Sequence, residues 1–319
     1  MTVTIALAGD TMLGRGVAQR LEDTSDPAEL FDEGVRDVLA GADLVLLNLE
    51  CCISTRGSRW DPVGKPFHFR APPHAAGMLA RLGVDCVTLA NNHALDYGYE
   101  ALLDTRDHLA AAGVLSVGAG VDLAQARRAA VLEASGLRVG VLGVTDHPDE
   151  FAATDDRPGV NYVPLELGVP EWLAKSVAEL RDVADVAIVT PHWGPNMTAR
   201  PVPHVRQAAK ALLECGASLV AGHSAHVFHG VEGPVLYDMG DFVDDYIVDP
   251  DLRNDLGLIF LVTLDEQGPV RLRAVPIALD FCYTRLATGR EAEWIRRRFA
   301  GACAEFGTQV SEELTVSLR

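Results

Sequence analysis

The side chains best suited to chemistry in this chain are carboxylates, amides and imidazoles that recur at one kind of place. Asp10 follows Gly9 at the end of an apolar run, Glu50 closes Asn48-Leu49-Glu50, and Asn91-Asn92-His93 follows a third run, with Asp96 just beyond. His192 follows a fourth run, in Pro191-His192-Trp193-Gly194, and His223 and His226 follow a fifth, in Gly222-His223-Ser224-Ala225-His226. Oxygen and imidazole donors without a thiolate suit Mn, Fe or Zn better than Ca or Mg. Singly, each fragment has a bland reading. Gly-Asp after a strand is commonly a turn, Glu50 can cap a helix, and paired histidines can bond backbone carbonyls. Recurrence at five successive strand ends is what points to a metal site.

Such residues need a scaffold that gathers strand ends. Apolar runs at 4–8, 44–47, 84–89, 139–144, 186–189 and 218–221 predict strands, and helical patterns at 28–39, 75–82, 99–112, 170–183 and 205–215 lie between them. The alternation is an α/β signature, and carboxyl ends of parallel strands share the rim where ligands bind. Beyond Gly230 the pattern changes. Stretches 235–238, 258–264 and 270–279 read as strands joined by short turns, which predicts a second, partly antiparallel sheet, and 291–306 reads as a helix. One compact domain is expected, with 51–70 and 146–164 as loop insertions. The acidic run 241–251 reads as a solvated face.

Composition excludes several classes. The 319 residues are 48% hydrophobic and 23% charged, which is globular rather than disordered. A formal charge of −18 argues against nucleic-acid or anionic-membrane partners, because both need a basic surface. A small or oligomeric anionic substrate still fits at a local cationic site of the kind a bound metal makes. Without a signal-like start or a long uncharged apolar run, a cytoplasmic protein with no membrane anchor is expected. The six cysteines lack C-x-x-C spacing, so free thiols are expected. Nothing in the sequence sets the oligomeric state.

The motifs also carry a family resemblance. Gly9-Asp10-Thr11-Met12-Leu13-Gly14-Arg15, Asn48-Leu49-Glu50, Phe67-His68-Phe69-Arg70-Ala71-Pro72-Pro73 and Ala90-Asn91-Asn92-His93-Ala94-Leu95-Asp96-Tyr97-Gly98 come first. His192-Trp193-Gly194, Gly222-His223-Ser224-Ala225-His226-Val227 and Tyr237-Asp238-Met239-Gly240-Asp241-Phe242 follow. In that order, over about residues 3–245, they resemble the CapA family of capsule or poly-γ-glutamate synthesis proteins. That family is similar in turn to calcineurin-like metallophosphoesterases. The resemblance implies a four-layer αββα sandwich with a mixed, partly antiparallel second sheet. It also implies a CapA-like domain over 1–281, with 282–319 as a C-terminal helical extension packed on it.

It further implies two divalent transition-metal ions (Mn, Fe or Zn) held by Asp10, a bridging Glu50, Asn92, His192, His223 and His226. His93 would be the catalytic acid, oriented by Asp96, which would raise its pKa. Arg15, Lys65, Arg70, Asn196 and Arg200 are candidate substrate contacts. His68, His74, His147, His204 and His229 read as incidental, and Asp238 and Asp241 as braces for the histidine loops. Three departures stand out: Met12 where phosphoesterases carry histidine, H-x-x-H for their H-x-H, and Asn196 where many members carry glutamate. The implied activity is hydrolysis of a phosphoester or a γ-glutamyl or other amide bond. The alternatives are a non-hydrolytic accessory protein of polymer synthesis and an amide-forming biosynthetic enzyme.

Overall fold

The strand Val3–Thr11 is buried along nearly its whole length, which is the mark of a strand covered on both faces. In this computed structural model, which describes residues 2–60 and 65–319, it is the hub of the larger sheet. Met1 and residues 61–64, inside the loop expected over 51–70, lie outside the described residues. One edge of the hub pairs in parallel with Leu44–Leu49, and Cys86–Thr88 and Leu115–Val117 continue that direction. Its other edge pairs antiparallel with Leu256–Asp265, then Gly268–Asp280 and Tyr283–Leu286.

Here the structure corrects the expectation. The strands expected over 258–264 and 270–279 join the first sheet instead of forming a second one, because the hub has a free edge that the apolar run 258–264 fills and 270–279 extends. The second sheet is built from Leu137–Thr145, Val186–His192, Leu219–Ala221 and Val235–Leu236, all parallel. Antiparallel edges Ala130–Ala134 and Val231–Glu232 make it mixed. A second correction concerns the acidic run. Asp241–Val243 is a buried strand parallel to the hub, Asp244 is buried beside it, and the run turns outward only from Ile247.

Successive strand residues point to opposite faces, and three apolar clusters follow from this. Ile5, Leu7, Leu44 and Leu46 share one cluster with Val139, Val141, Val186, Ile188 and Leu219 of the other sheet. Ala6, Ala8, Val45 and Leu47 instead meet Leu39, Leu79 and Leu102 of the helices Glu33–Ala40, Ala75–Arg81 and Gly98–Ala112. Leu142, Val144 and Val189 meet Leu173, Val177 and Leu212 of Glu171–Val183 and Pro203–Glu214. The protein is thus a mixed α/β sandwich with flanking helices. The C-terminal helix Gly289–Ala304 buries Ile295 and Phe299 in the cluster shared by both sheets, and Thr315–Ser317 returns to Gly268–Asp280. The cysteines are free thiols, and none of the described helices is long and apolar enough to cross a membrane.

Candidate metal centre

The five strand ends converge where the two sheets meet. Asp10 stands in register with Asn48 on one side and Asp241 on the other, and His192 forms a bridge with His223. Close backbone approach makes this possible. A Cβ on Gly9 would lie 1.8 Å from the Gly240 carbonyl oxygen, and one on Gly222 would lie 2.4 Å from that of Tyr237. The loop after Gly222 is strained, with Ser224 at φ 119° and His226 at φ 60°. Bonds from the Ala225 N–H to Asp238 (2.7 Å) and from the Ser224 hydroxyl to the Gly194 carbonyl (3.1 Å) hold it there. Strain of this kind persists only where the surroundings over-determine it, commonly at functional sites.

Two triads of side chains are spaced to hold a cation each, and they share Asp10: Asp10, His192 and His223 in one, Asp10, His226 and Asp241 in the other. In the first, the His192 and His223 Nδ1 atoms are 2.8 Å apart, and His223 Nδ1 is 3.8 Å from Asp10 Oδ1. The Thr190 hydroxyl, 3.0 Å from His223 Nε2, fixes that ring. In the second, His226 Nδ1 lies 3.2 Å from Asp10 Oδ2 and 2.8 Å from Asp241 Oδ1. Asn48 donates to Asp10 Oδ1 at 2.6 Å, and Asn91 in turn donates to Asn48 at 3.0 Å, which locks three strand ends together. Glu50 is 3.8 Å from His192 Nε2 and 4.0 Å from His93 Nε2. The resemblance gave Glu50 the bridging place; the acid common to both triads is Asp10.

Cations fit this donor set. Asp10 Oδ2, both Glu50 oxygens, Asn92 Oδ1, His192 Nε2 and Asp241 Oδ2 are buried without a hydrogen-bond partner among the described residues. Orphaned polar atoms of that number would cost several kcal/mol in a neutral core. Charge is strained to match. Burial, then the Asp10 charge, pushes the Glu50 carboxyl well above the usual range. Burial also pushes Asp241 well up, against the pull of His226. Burial would raise Asp10 too, but His226 and His223 beside it, with the Asn48 donor, bring it below its ordinary value. His223 is pushed down to about 4 by burial, and His192 well down by burial and its imidazole neighbours, so both are neutral and ready to ligate. His226 goes the other way: burial opposes its charge, yet Asp241, Glu50 and Asp10 raise it well above 6.5.

The description that matches the sequence is bacterial capsule synthesis protein PGA_cap, over residues 4–246. The chain belongs to this family. A probable polyglutamine synthesis accessory protein of Mycobacterium tuberculosis is 32% identical over 356 residues, covering 97% of this chain and 93% of that protein. The PGA biosynthesis protein CapA of Bacillus subtilis is 30% identical over 249 residues, covering 76% of this chain and 63% of its own. Among solved structures, a phosphatase of Mycoplasma pneumoniae overlays 92% of this chain and 97% of its own at 14% identity, with a TM-score of 0.53. That likeness concerns the fold, which is distantly similar to the calcineurin-like phosphoesterases.

Within this PGA_cap chain the remaining candidates separate. His93 Nδ1 is 2.7 Å from Asp96 Oδ2, and Asp96 also accepts from the Phe69 N–H at 2.6 Å. Lys65 lies 2.9 Å from Asp96 Oδ1 and donates to the Asn92 carbonyl at 2.6 Å, so its ammonium braces the His93 turn. Asp96 pulls the His93 pKa upward as expected, but burial outweighs it and pushes the imidazole down to about 4, which corrects the expectation of a raised value. Arg15 and Asn196 line a cavity of about 540 Å³ that His93, Asn92 and His226 also line. Arg15 is paired with Asp245. Arg70 stacks 4.1 Å over Tyr97 in a separate cavity with Arg15, Arg59 and Phe67. Arg200 is exposed and pairs with Glu305 at 2.8 Å, away from the cluster.

Several residues were not singled out from the sequence as site members. Asp241 was read as a brace, although Gly240-Asp241 repeats the Gly9-Asp10 pattern that signals a strand-end acid. Asp238 does brace the loop, accepting from the Ala225 and Gly240 N–H groups. His147, read as incidental, stands with its ring 5.1 Å from that of His192. Tyr246 packs edge-on to His226 at 5.2 Å, and only its place after Asp244-Asp245 hinted at it.

Proposed function

We propose that this protein is a metal-dependent hydrolase with a dinuclear centre of Mn, Fe or Zn, acting on a phosphoester or on a γ-glutamyl or other amide bond. The observation that carries the reading is the pair of triads sharing Asp10, with unpartnered buried polar atoms on Asp10, Glu50, Asn92, His192 and Asp241. Asp10, His192 and His223 would hold one ion, and Asp10, His226 and Asp241 the other, with Glu50 and Asn92 Oδ1 completing the set. Asp241 would offset the ligand lost at position 12, where Met12 is buried and its sulfur accepts from the Gly14 N–H at 3.0 Å. Two such ions supply Lewis acidity and a water activated at neutral pH. His93 lines the cavity, with Asp96 fixing Nδ1 and Nε2 standing 4.0 Å from Glu50, so the imidazole would be held for proton transfer at the leaving group. Its low pKa makes the protonated form a minority at neutrality.

The three apolar clusters support a four-layer, helix–sheet–sheet–helix reading of the sandwich. On this reading residues 1–281 are the family domain and 282–319 an extension that completes its larger sheet. The names of the mycobacterial and Bacillus relatives support a second role, accessory to polymer synthesis, in which the same centre binds an anionic chain without cleaving it. Metal-loaded protein should be screened against phosphoesters and γ-glutamyl amides. Turnover of one class, lost in Asp10→Asn, supports the hydrolase; binding of γ-glutamyl oligomers without turnover of either class supports the accessory role.

A further inference from the structure

The cavity over the metal centre is the wrong lining for a polyanion. Among the described residues ten large apolar side chains are exposed, and four of them, Phe67, Met197, Ile247 and Phe281, gather on this one cavity. Ile247 is 92% exposed, Phe281 69% and Phe67 54%. Exposed apolar surface concentrated at a concave site marks a binding region. Tyr246 adds a ring that reaches from the cavity to His226. Among the described residues Arg15 is the one Lys or Arg of the lining, and it is already spent, while His226 is turned to Asp10 and Asp241. The Arg15 guanidinium pairs with Asp245 and lies 4.9 to 5.5 Å from the centres of the Phe67, Phe69 and Tyr246 rings. A guanidinium stacked this way presents a flat surface and little free charge. Arg59, and Arg70 stacked on Tyr97, line the neighbouring cavity beyond Phe67 instead.

We propose that the substrate carries a planar apolar group, an aryl or comparable ring, beside the bond that faces His93 and His226, seated among Phe67, Tyr246, Ile247 and Phe281. The inference rests on the hydrolase reading of the metal centre and narrows its substrate class. A chain bearing a carboxylate on every unit would meet Asp245 and four apolar side chains in this cavity. A ring there buries its own apolar faces and those of the rim together, and aromatic contacts add to the area term.

The test uses inert probes, so that it reads recognition apart from turnover. Phenylphosphonate and methylphosphonate share the metal-seeking group and differ in the ring. Binding of each to Mn-loaded protein is measured by calorimetry, for wild type and for Phe281→Ala and Ile247→Ala, whose exposure makes them tolerable to the fold. Phenylphosphonate should bind at least about tenfold more tightly, and the ratio should fall toward unity in the variants. Equal affinities in wild type, or a preference that both variants retain, overturn the proposal and leave the metal centre standing. Failure of both probes to bind overturns the metal-centre reading and the proposal together.

Discussion

Loading the centre with metal must strip protons from it, and the structure says which. His226 is held charged by Asp10 and Asp241, 3.2 and 2.8 Å from its Nδ1, with a pKa well above 6.5 in spite of burial. As a ligand it must be neutral, so at pH 7 at least one proton leaves as the second triad fills. Burial pushes the Glu50 and Asp241 carboxyls upward as well, so any proton either holds adds to that count. Each proton released makes the apparent affinity fall about tenfold, or about 1.4 kcal/mol, per unit of pH lowered below the metal-free pKa. Between pH 8 and 6 a single proton is therefore worth at most about a hundredfold, with binding weaker on the acid side. Titration calorimetry of Mn²⁺ into metal-free protein, in buffers of different ionisation enthalpy, reads the proton count directly. His226→Asn should lower that count by about one. Affinity independent of pH, or the same proton release in the variant, would refute the assignment of His226 as a charged residue that becomes a ligand.

Other outcomes follow from single contacts. His93→Asn should leave metal content intact and lower turnover about 10²–10⁴-fold for poor leaving groups, with a smaller deficit for good ones; a deficit independent of leaving group would make His93 a positioning residue only. His229, buried and bonded at 2.7 Å to the Thr198 carbonyl, has its pKa pushed down to about 4 by burial. The unfolded chain binds more protons than the native one between that value and 6.5, so stability is lost as pH falls through this window. His229→Gln should remove up to about 3 kcal/mol of the acid destabilisation of metal-free protein, read from denaturant midpoints at pH 7 and 4.5. Gly9→Ala drives a methyl into the Gly240 carbonyl. It should cost about 3 kcal/mol and reduce metal uptake, checked by urea unfolding and elemental analysis.

What the sequence could disclose was local. Asp10, Glu50, Asn92, His192 and the 223–226 pair announce themselves because each ends an apolar run, and a strand end is a place as well as a conformation. Pairing is not local. Residues 256–265 read as the same apolar run whether they join the Val3–Thr11 strand or another sheet, and only the free edge of that strand decides. The short run Ala130-Val131-Leu132-Glu133-Ala134 likewise reads as nothing until Leu137–Thr145 lies beside it. Asp241 was hidden by the acids that follow it, since charge density suggests solvent while its register partner Asp10 lies in a different part of the chain. The His93 pKa shows the same limit. Asp96 is visible three residues away, but the burial that overrides it comes with distant neighbours such as Phe69, whose ring lies tilted with its centre 4.2 Å from that of the imidazole.

The central claim is that two ions at one shared aspartate make a hydrolytic centre. Its most direct test is activity against a mixed panel of aryl phosphoesters and aryl γ-glutamyl amides as Mn²⁺ is added stepwise to metal-free protein. The account predicts hydrolysis of one class that climbs until about two equivalents are bound, and none at any loading in Asp10→Asn. Saturation at two equivalents without hydrolysis of either class, or full activity in the metal-free protein, would contradict it.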